Sequence, residues 1–330
     1  MSTAVPSPEI IEGTGLASEL WSVKHRLLAM LDFSVLDEAM DNGPGRDPTY
    51  YRSTMMTGVL YAFSQQKYSY RSIAQCLQTY PARRLCGFGT ETPVASTICR
   101  FWERVWEYIP LVFKYVTDVL EACDIYGDTF AIDATALPAA RDDPDAVWAF
   151  DEHSEDNFYY GYGLVVVVDC ASDLPAGAVF CQRKQHGEET SIECLKEAIE
   201  TTDIDTILGD AWYDTLDFHG FCADRECLPI CTFNPRNGDK EYDYRIEQLV
   251  EQGEVAEALI EGVDLGETFQ QRQAVERLFG VLKDDDKKLE FTKHGFERVG
   301  TQVFVALIDR LLTALAKWKR NPEANLRSVR

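Results

Sequence analysis

Ala131-Ile132-Asp133-Ala134-Thr135 and Leu208-Gly209-Asp210-Ala211-Trp212-Tyr213-Asp214 decide the fold. Each sets an aspartate in, or at the end of, a short apolar run that reads as a strand. A central strand seldom buries an acid unless it is paired or metal-bound. A third carboxylate, Glu276, falls on a predicted helix in the spacing Phe269-x2-Arg272-x3-Glu276-x6-Lys283, with Val275, Leu278, Phe279 and Leu282 as the packing side. Alone, an aspartate at a strand end is a turn former, and a glutamate on a charged helix is solvated. Jointly they point to a site, because acids this far apart in sequence meet only if the fold gathers them. Gathered carboxylates repel one another unless hard cations neutralise them. Arg272 and Lys283 would line the same groove with phosphate-binding charge. The pattern predicts a metal-dependent enzyme acting on a polyanion. Asp133, Asp210 and Glu276 are its catalytic residues and its ligands for Mg2+ or Mn2+, two ions about 3.5–4 Å apart bridging the scissile phosphate.

Around these acids the periodicity changes once. Residues 1–47 read as a leader with one amphipathic helix, Ala17 to Met40, ended by Asn42-Gly43-Pro44-Gly45. Residues 48–126 read as helical: Tyr51 to Gln65, Ser69 to Tyr80 stopped by Pro81, and a helix capped by Ser96 running to Glu107. Ile98, Phe101, Trp102 and Val105 make its core stripe, and the helix, turn, helix order is compatible with a helix-turn-helix-like DNA-binding unit. From Gly127 strands appear at Thr129–Leu137, Phe158–Cys170, Ala176–Arg183, Asp205–Asp210 and Leu228–Phe233. Helices are expected at Glu188–Thr201, at Leu216–Arg225 and around Glu276. That order describes an α/β domain over 127–320, a mixed five-stranded sheet flanked by helices, closed by an apolar helix from Gly300 to Trp318 and followed by a tail, 321–330.

The 330-residue chain carries a net charge of −23, a poor match to a simple polyanion binder. Carboxylate-rich surfaces keep proteins hydrated in a very salty cytoplasm, where a Debye length near ~3 Å in molar salt mutes their repulsion of DNA. The charge therefore reads as habitat. From Pro48 to Leu120, eight basic residues face four acidic ones, a local net of +4, and Arg71, Arg100 and Arg104 fall on polar helix faces. They are the expected DNA contacts of this segment.

Ten cysteines without an export signal suggest reduced thiols and a cytoplasmic protein. His219-x2-Cys222-x4-Cys227-x3-Cys231 invites a zinc reading, but its spacing lacks the paired Cys-x2-Cys pattern, and these cysteines read as buried small hydrophobes. His186 and His219 have no visible nucleophile partner and read as structural. No apolar run reaches the ~20 residues that span a bilayer.

At these residues the chain resembles the DDE transposases of bacterial and archaeal insertion sequences. Ser69-Tyr70-Arg71-Ser72-Ile73 and Pro93-Val94-Ala95-Ser96-Thr97-Ile98-Cys99-Arg100-Phe101 are similar to their N-terminal helical domain. Ile132-Asp133-Ala134-Thr135 matches the first acid, Gly209-Asp210-Ala211-Trp212-Tyr213-Asp214 the second and Glu276 the third. Phe269, Arg272, Glu276 and Lys283 match the Tyr-Arg-Glu-Lys signature, with phenylalanine for tyrosine, which keeps stacking and loses a hydroxyl contact to phosphate.

The resemblance implies a ribonuclease-H-like catalytic domain. It also implies that Arg272 and Lys283 hold the terminal phosphates of the element's end, with Phe269 and Trp212 counted among the DNA-binding residues. Only 66 residues separate Asp210 from Glu276, so a large inserted β-domain is not expected. Asp284, Asp285 and Asp286 read as a solvated turn. The expected activity is binding of terminal inverted repeats in double-stranded DNA, strand cleavage, and joining of the freed end to target DNA, with at least a transient homodimer pairing two ends. A stand-alone nuclease of the same fold and a domesticated DNA-binding protein with an inactive core are the alternatives.

Overall fold

Alternation of apolar and small residues makes Thr129–Pro138 a ten-residue strand, β1, and everything in the sheet is registered on it. The computed structural model describes residues 22–40, 48–151, 154, 157–185, 187–232, 234, 264–285 and 287–327. By packing, the chain forms two units: residues 124–141 with 146–285, built on the sheet, and residues 1–123, 142–145 and 286–330, which are helical.

In the sheet unit, β1 is followed by β2 (Val147–Phe150), β3 (Phe158–Asp169) and β4 (Leu174–Cys181). Helix α8 (Glu188–Ile199), β5 (Thr206–Gly209), α9 (Leu216–Ala223) and β6 (Leu228–Cys231) come next. (Helices α1–α7 belong to the helical unit.) The sheet order is β2-β3-β1-β5-β6, with β4 also on β3. β1 holds one edge of β3, so β2 and β4 share the other, β2 at residues 158–161 and β4 at 163–169. β5 and β6 run parallel to β1, and β3 antiparallel. This mixed sheet flanked by helices is the expected α/β class and is consistent with a ribonuclease-H-like arrangement. Among the described residues the count differs: six strands, not five. β2 is four residues long and sits in a Pro/Asp-rich stretch, so it has too little alternation to be seen in advance. Strand β6 ends at Cys231, and Phe233 lies outside the described residues.

Residues 265–285 are not one helix. They run as α10 (Leu265–Phe269), a 3-10 turn (Gln270–Arg272), α11 (Gln273–Gly280) and a π turn (Val281–Asp285). Val275 and Leu278 are buried, as their spacing predicts. The side chains of Asp284, Asp285 and Asp286 lie outside the described residues, as do His186 and Asn42-Gly43-Pro44-Gly45.

The helical unit differs from expectation in four places. In place of one leader helix, residues 22–40 hold two short ones, α1 (Val23–Leu28) and α2 (Val35–Ala39). The break forms because Asp32 Oδ1 accepts from the Ser34 backbone N–H at 2.9 Å while the Asp32 N–H goes to the Tyr115 hydroxyl. After α3 (Arg52–Ser64) and α4 (Tyr70–Leu77), Pro81 ends one helix and also begins another, α5 (Tyr80–Cys86), with proline in its first turn and Gly87 at φ +77° closing it. The helix-turn-helix-like pair is thus three helices. α6 (Ala95–Val105) starts at Val94 without a side-chain cap, so Ser96 lies inside its first turn, and α7 (Ile109–Glu121) follows. The last helix, α12 (Phe296–Arg320), packs on α7, α1, α3 and α6 and is the core of this unit, although the sequence grouped it with the sheet. It is long and apolar enough to cross a membrane, although no unbroken apolar run in the sequence reaches that length, but 94% of its apolar stretch is buried inside the protein.

Ile98, Phe101, Trp102 and Val105 are buried, so the aromatic stripe is core. Against it sits Lys293, whose ammonium lies 4.3 Å from the Trp102 ring centroid and donates to Tyr68 O at 2.7 Å and Gln302 Oε1 at 2.9 Å. Burial, weakly opposed by Cys99, lowers its pKa to about 7. An unfolded lysine ionises near 10.5, so between about pH 7 and 10.5 the unfolded chain binds more protons and stability rises with pH. Lys293→Met is expected to flatten that rise. Urea midpoints at the two ends of this window, compared between the two proteins, check it. An equal pH response in both would refute it.

Candidate active site

Parallel pairing brings the first two acids to the same part of the sheet. Thr129, Phe130 and Ala131 pair with Thr206, Ile207 and Leu208, and just beyond this register the Asp210 charge acts on Asp133. Adjacent strands lie about 4.8 Å apart. The chain turns immediately after Gly209. A Cβ there would meet Tyr213 Cβ at 2.9 Å and Cys231 Sγ at 3.1 Å, so only glycine lets the turn close. Asp210 Oδ1 accepts the Trp212 N–H at 2.8 Å, and Asp210 O accepts the Tyr213 N–H at 3.0 Å, which fixes the loop.

Asp133 Oδ1 accepts from the Ala134 N–H at 2.7 Å. Burial and then the charge of Asp210 raise its pKa above the ordinary carboxylate value, against the Ala134 N–H and Arg272. Arg272 forks between two acids, Nη1 to Asp133 Oδ2 at 2.9 Å and Nη2 to Glu276 Oε1 at 3.1 Å. Glu276 therefore shares a guanidinium with Asp133. Among the described residues, no three acid, histidine or cysteine side chains are drawn close enough to hold a metal jointly. The three candidate donors are nevertheless all carboxylates, the ligand type of a hard divalent ion, and Arg272 is the counter-charge between two of them. If Arg272 swung away, oxygen ligands would face the gap. These residues fit a divalent ion.

The other predicted residues are placed as follows. Lys283 Nζ donates to Thr135 Oγ1 at 2.6 Å and Ala136 O at 2.8 Å, so it fastens the π turn to β1. Phe269 ends α10 and is half-buried. Trp212 is 46% exposed and, with Tyr213, Ser191 and Phe218, lines a cavity of about 190 Å³ beside Asp210. Arg71, Arg100 and Arg104 are exposed in the helical unit. Arg104 shares a cavity with Arg52, Glu103, Glu107 and Glu297, so its surroundings are more acidic than the sequence average of that segment suggests. Cys222, Cys227 and Cys231 are buried. His219 is buried with its Nε2 3.3 Å from Asp214 Oδ1, and Asp214 Oδ2 accepts the Asn234 N–H at 2.8 Å.

Two features carry no clear sequence signal. Arg277 makes a bidentate pair with Asp173, 2.7 Å on each arm, and pins α11 to the turn after β3, which orients the neighbouring Glu276. Asp173 has φ +57°, and the Asp169 carboxylate accepts from the Ala171 and Ser172 N–H groups in the same turn. The second is the exposed aromatic face of β2 and β3, described below.

Residues 127–311 match a family profile described as the transposase DDE domain. Two proteins described as probable transposases for insertion sequence element ISH11, from two strains of Halobacterium salinarum, are each 28% identical to this chain over 310 residues, covering 92% of both sequences.

Proposed function

Because the chain belongs to the DDE-domain transposases, we propose that it binds the ends of an insertion sequence, cuts a strand there and joins the freed 3′-hydroxyl to target DNA. One observation carries this reading. The parallel pairing of β1 with β5 brings Asp133 within range of the Asp210 charge, and Arg272 ties Asp133 to Glu276. Mg2+ or Mn2+ held by Asp133, Asp210 and Glu276 would supply Lewis acidity and a more acidic attacking hydroxyl.

The chain's own residues orient and bind. Gly209 and the Asp210 loop hold the second carboxylate at the strand end, and the Arg277–Asp173 pair holds the helix of the third. Arg272 and Lys283, which rest on protein oxygens here, exchange those partners for the terminal phosphates. Phe269 and Trp212 offer rings to bases or sugars beside the cut. Arg71, Arg100 and Arg104 contact the duplex through the helical unit. Two copies pair two ends, and the reaction takes place in the cytoplasm, where the DNA is. The acidic surface suits high internal salt.

Purified protein in concentrated KCl with Mg2+, a fragment carrying the element's ends and a target plasmid should yield end-specific nicks and a joined product. Nicks without joining would identify a stand-alone nuclease. Retention of end fragments with no cutting under Mg2+ or Mn2+ would identify a DNA-binding protein and defeat the proposal.

A further inference from the structure

The sheet face that carries Asp133 continues well beyond the acids. Antiparallel partners share a face. Asp133 pairs with Val166, Thr135 with Leu164 and Leu137 with Tyr162. Two and four residues further along β3, Tyr160 and Phe158 lie on that same face, and β2 sets Trp148 opposite Tyr160 and Phe150 opposite Phe158. Tyr162 and Leu164 are covered, whereas Trp148, Phe150 and Phe158 are 55%, 48% and 53% exposed. The rings are arranged against each other, with centroids 5.6 Å apart for Trp148–Tyr160 and 5.8 Å for Phe150–Phe158. The Arg141 guanidinium lies 4.2 Å from the Trp148 ring.

The platform is held from behind. Ala149 and Tyr159, which alternate with the exposed rings, are buried against Ala136. The Tyr159 hydroxyl accepts the Lys184 N–H at 2.6 Å, and Lys184 Nζ pairs with Asp151 at 3.0 Å. Three exposed rings and a half-buried fourth on one side of a fixed two-stranded ribbon are an unusual thing for a monomer to leave in water.

Chemistry selects the occupant. The described residues of this face offer rings and one guanidinium, not a row of cations to track a phosphate backbone. Bases are different, because every base has a face that stacks on an aromatic ring, and Arg141 adds a planar cation to the stack. Stacking also survives the salt that weakens phosphate contacts. For a chain of net charge −23, it is the DNA contact least dependent on basic residues. From the residue opposite Asp133 to Tyr160 is about 20 Å along the strand, comparable to about six nucleotides of a stacked strand.

We infer that the Trp148, Phe150, Phe158 and Tyr160 face binds unpaired bases of a DNA strand leading away from the acids. The inference rests on the reading of DNA as substrate.

The test uses the full chain, fluorescence anisotropy in concentrated KCl, a short labelled oligothymidylate and a blunt duplex of equal length. W148A/F158A should bind the oligothymidylate roughly a hundredfold more weakly, about tenfold for each ring, while duplex binding is unchanged. Trp148→Phe should keep most of the affinity, and Trp148→Leu, which keeps apolar bulk without a ring, should lose it. Matched urea midpoints confirm that the variants fold. Oligothymidylate binding equal to wild type in W148A/F158A overturns the inference. So does a change confined to dimer dissociation in sedimentation, which would mark the face as self-associating. Intact end cleavage beside either result leaves the transposase reading standing. Wild type that binds and cuts no DNA at all removes both.

Discussion

Asp133→Ala should reduce cleavage at the element's ends by at least about 10³-fold, about 4 kcal/mol of transition-state stabilisation, while duplex binding is kept. The expectation comes from position: this is a half-buried acid, within range of the Asp210 charge and tied through Arg272 to Glu276. Folding should not suffer with it. Burial and the Asp210 charge hold Asp133 above the ordinary carboxylate range, against the Ala134 N–H and Arg272. Between the unfolded and the raised pKa, the folded chain binds more protons, so stability falls as pH rises through that interval. An ionised Asp133 is thus a cost to the fold, and its removal should leave the melting temperature level or higher without added metal. Cleavage assays with Mg2+ and Mn2+, run beside melting curves, read both effects. Cutting within tenfold of wild type would remove Asp133 from the chemistry.

The second large effect lies in the helical unit. Asp309 is 1% exposed, with Lys24 Nζ at 2.5 Å from one oxygen and Lys288 Nζ at 3.0 Å from the other. Burial pushes its pKa up, but the two ammoniums outweigh it and the net shift is downward. The ionised form therefore stabilises the fold above the unfolded carboxylate value, and that contribution disappears as pH falls through the lower folded value. Asp309→Ala leaves the buried Lys288 ammonium facing the partly exposed Lys24 ammonium and should cost about 3–5 kcal/mol at neutral pH. Because Asp309 and Lys288 are buried, the loss should persist in concentrated KCl, unlike any effect of the exposed Lys196–Glu200 pair. Replacing all three residues with apolar ones should recover most of it. Urea unfolding followed by tryptophan fluorescence reports this unit through Trp102 and Trp318. A loss below about 1 kcal/mol would show that the triad contributes little.

Strands and long helices were readable because their burial is periodic: β1, β3, β4 and α8 fall within a residue or two of expectation at both ends. What escaped has physical causes. β2 spans only two alternations, at the lower limit of a strand signal, and exists because β3 offers it an edge. The break after α1 depends on Asp32 bonding its neighbours' backbone, a local competition that composition does not reveal. The membership of α12 depends on which apolar surface it meets, and a helix buried on nearly all sides looks the same in sequence wherever it docks. At the candidate site, the positions of the acids were legible from strand ends and helix spacing. The directions of the cations were not: Arg272 could point to solvent, phosphate or carboxylate with the same spacing, and Lys283 turned out to bond β1 oxygens. The pairing of Arg277 with Asp173 spans 104 positions and needs a folded turn to be seen.

The helical unit is assembled from both ends of the chain, with α12 as its centre, whereas the sheet strands lie between. At a translation rate of about 5–20 residues per second, α1–α7 leave the ribosome some 10–40 s before their central helix does. During that interval their apolar sides have nothing to close on, while the intervening sheet can already form. A newly made molecule therefore acquires its sheet first and its complete helical unit last, so unfinished chains lack an intact helical unit.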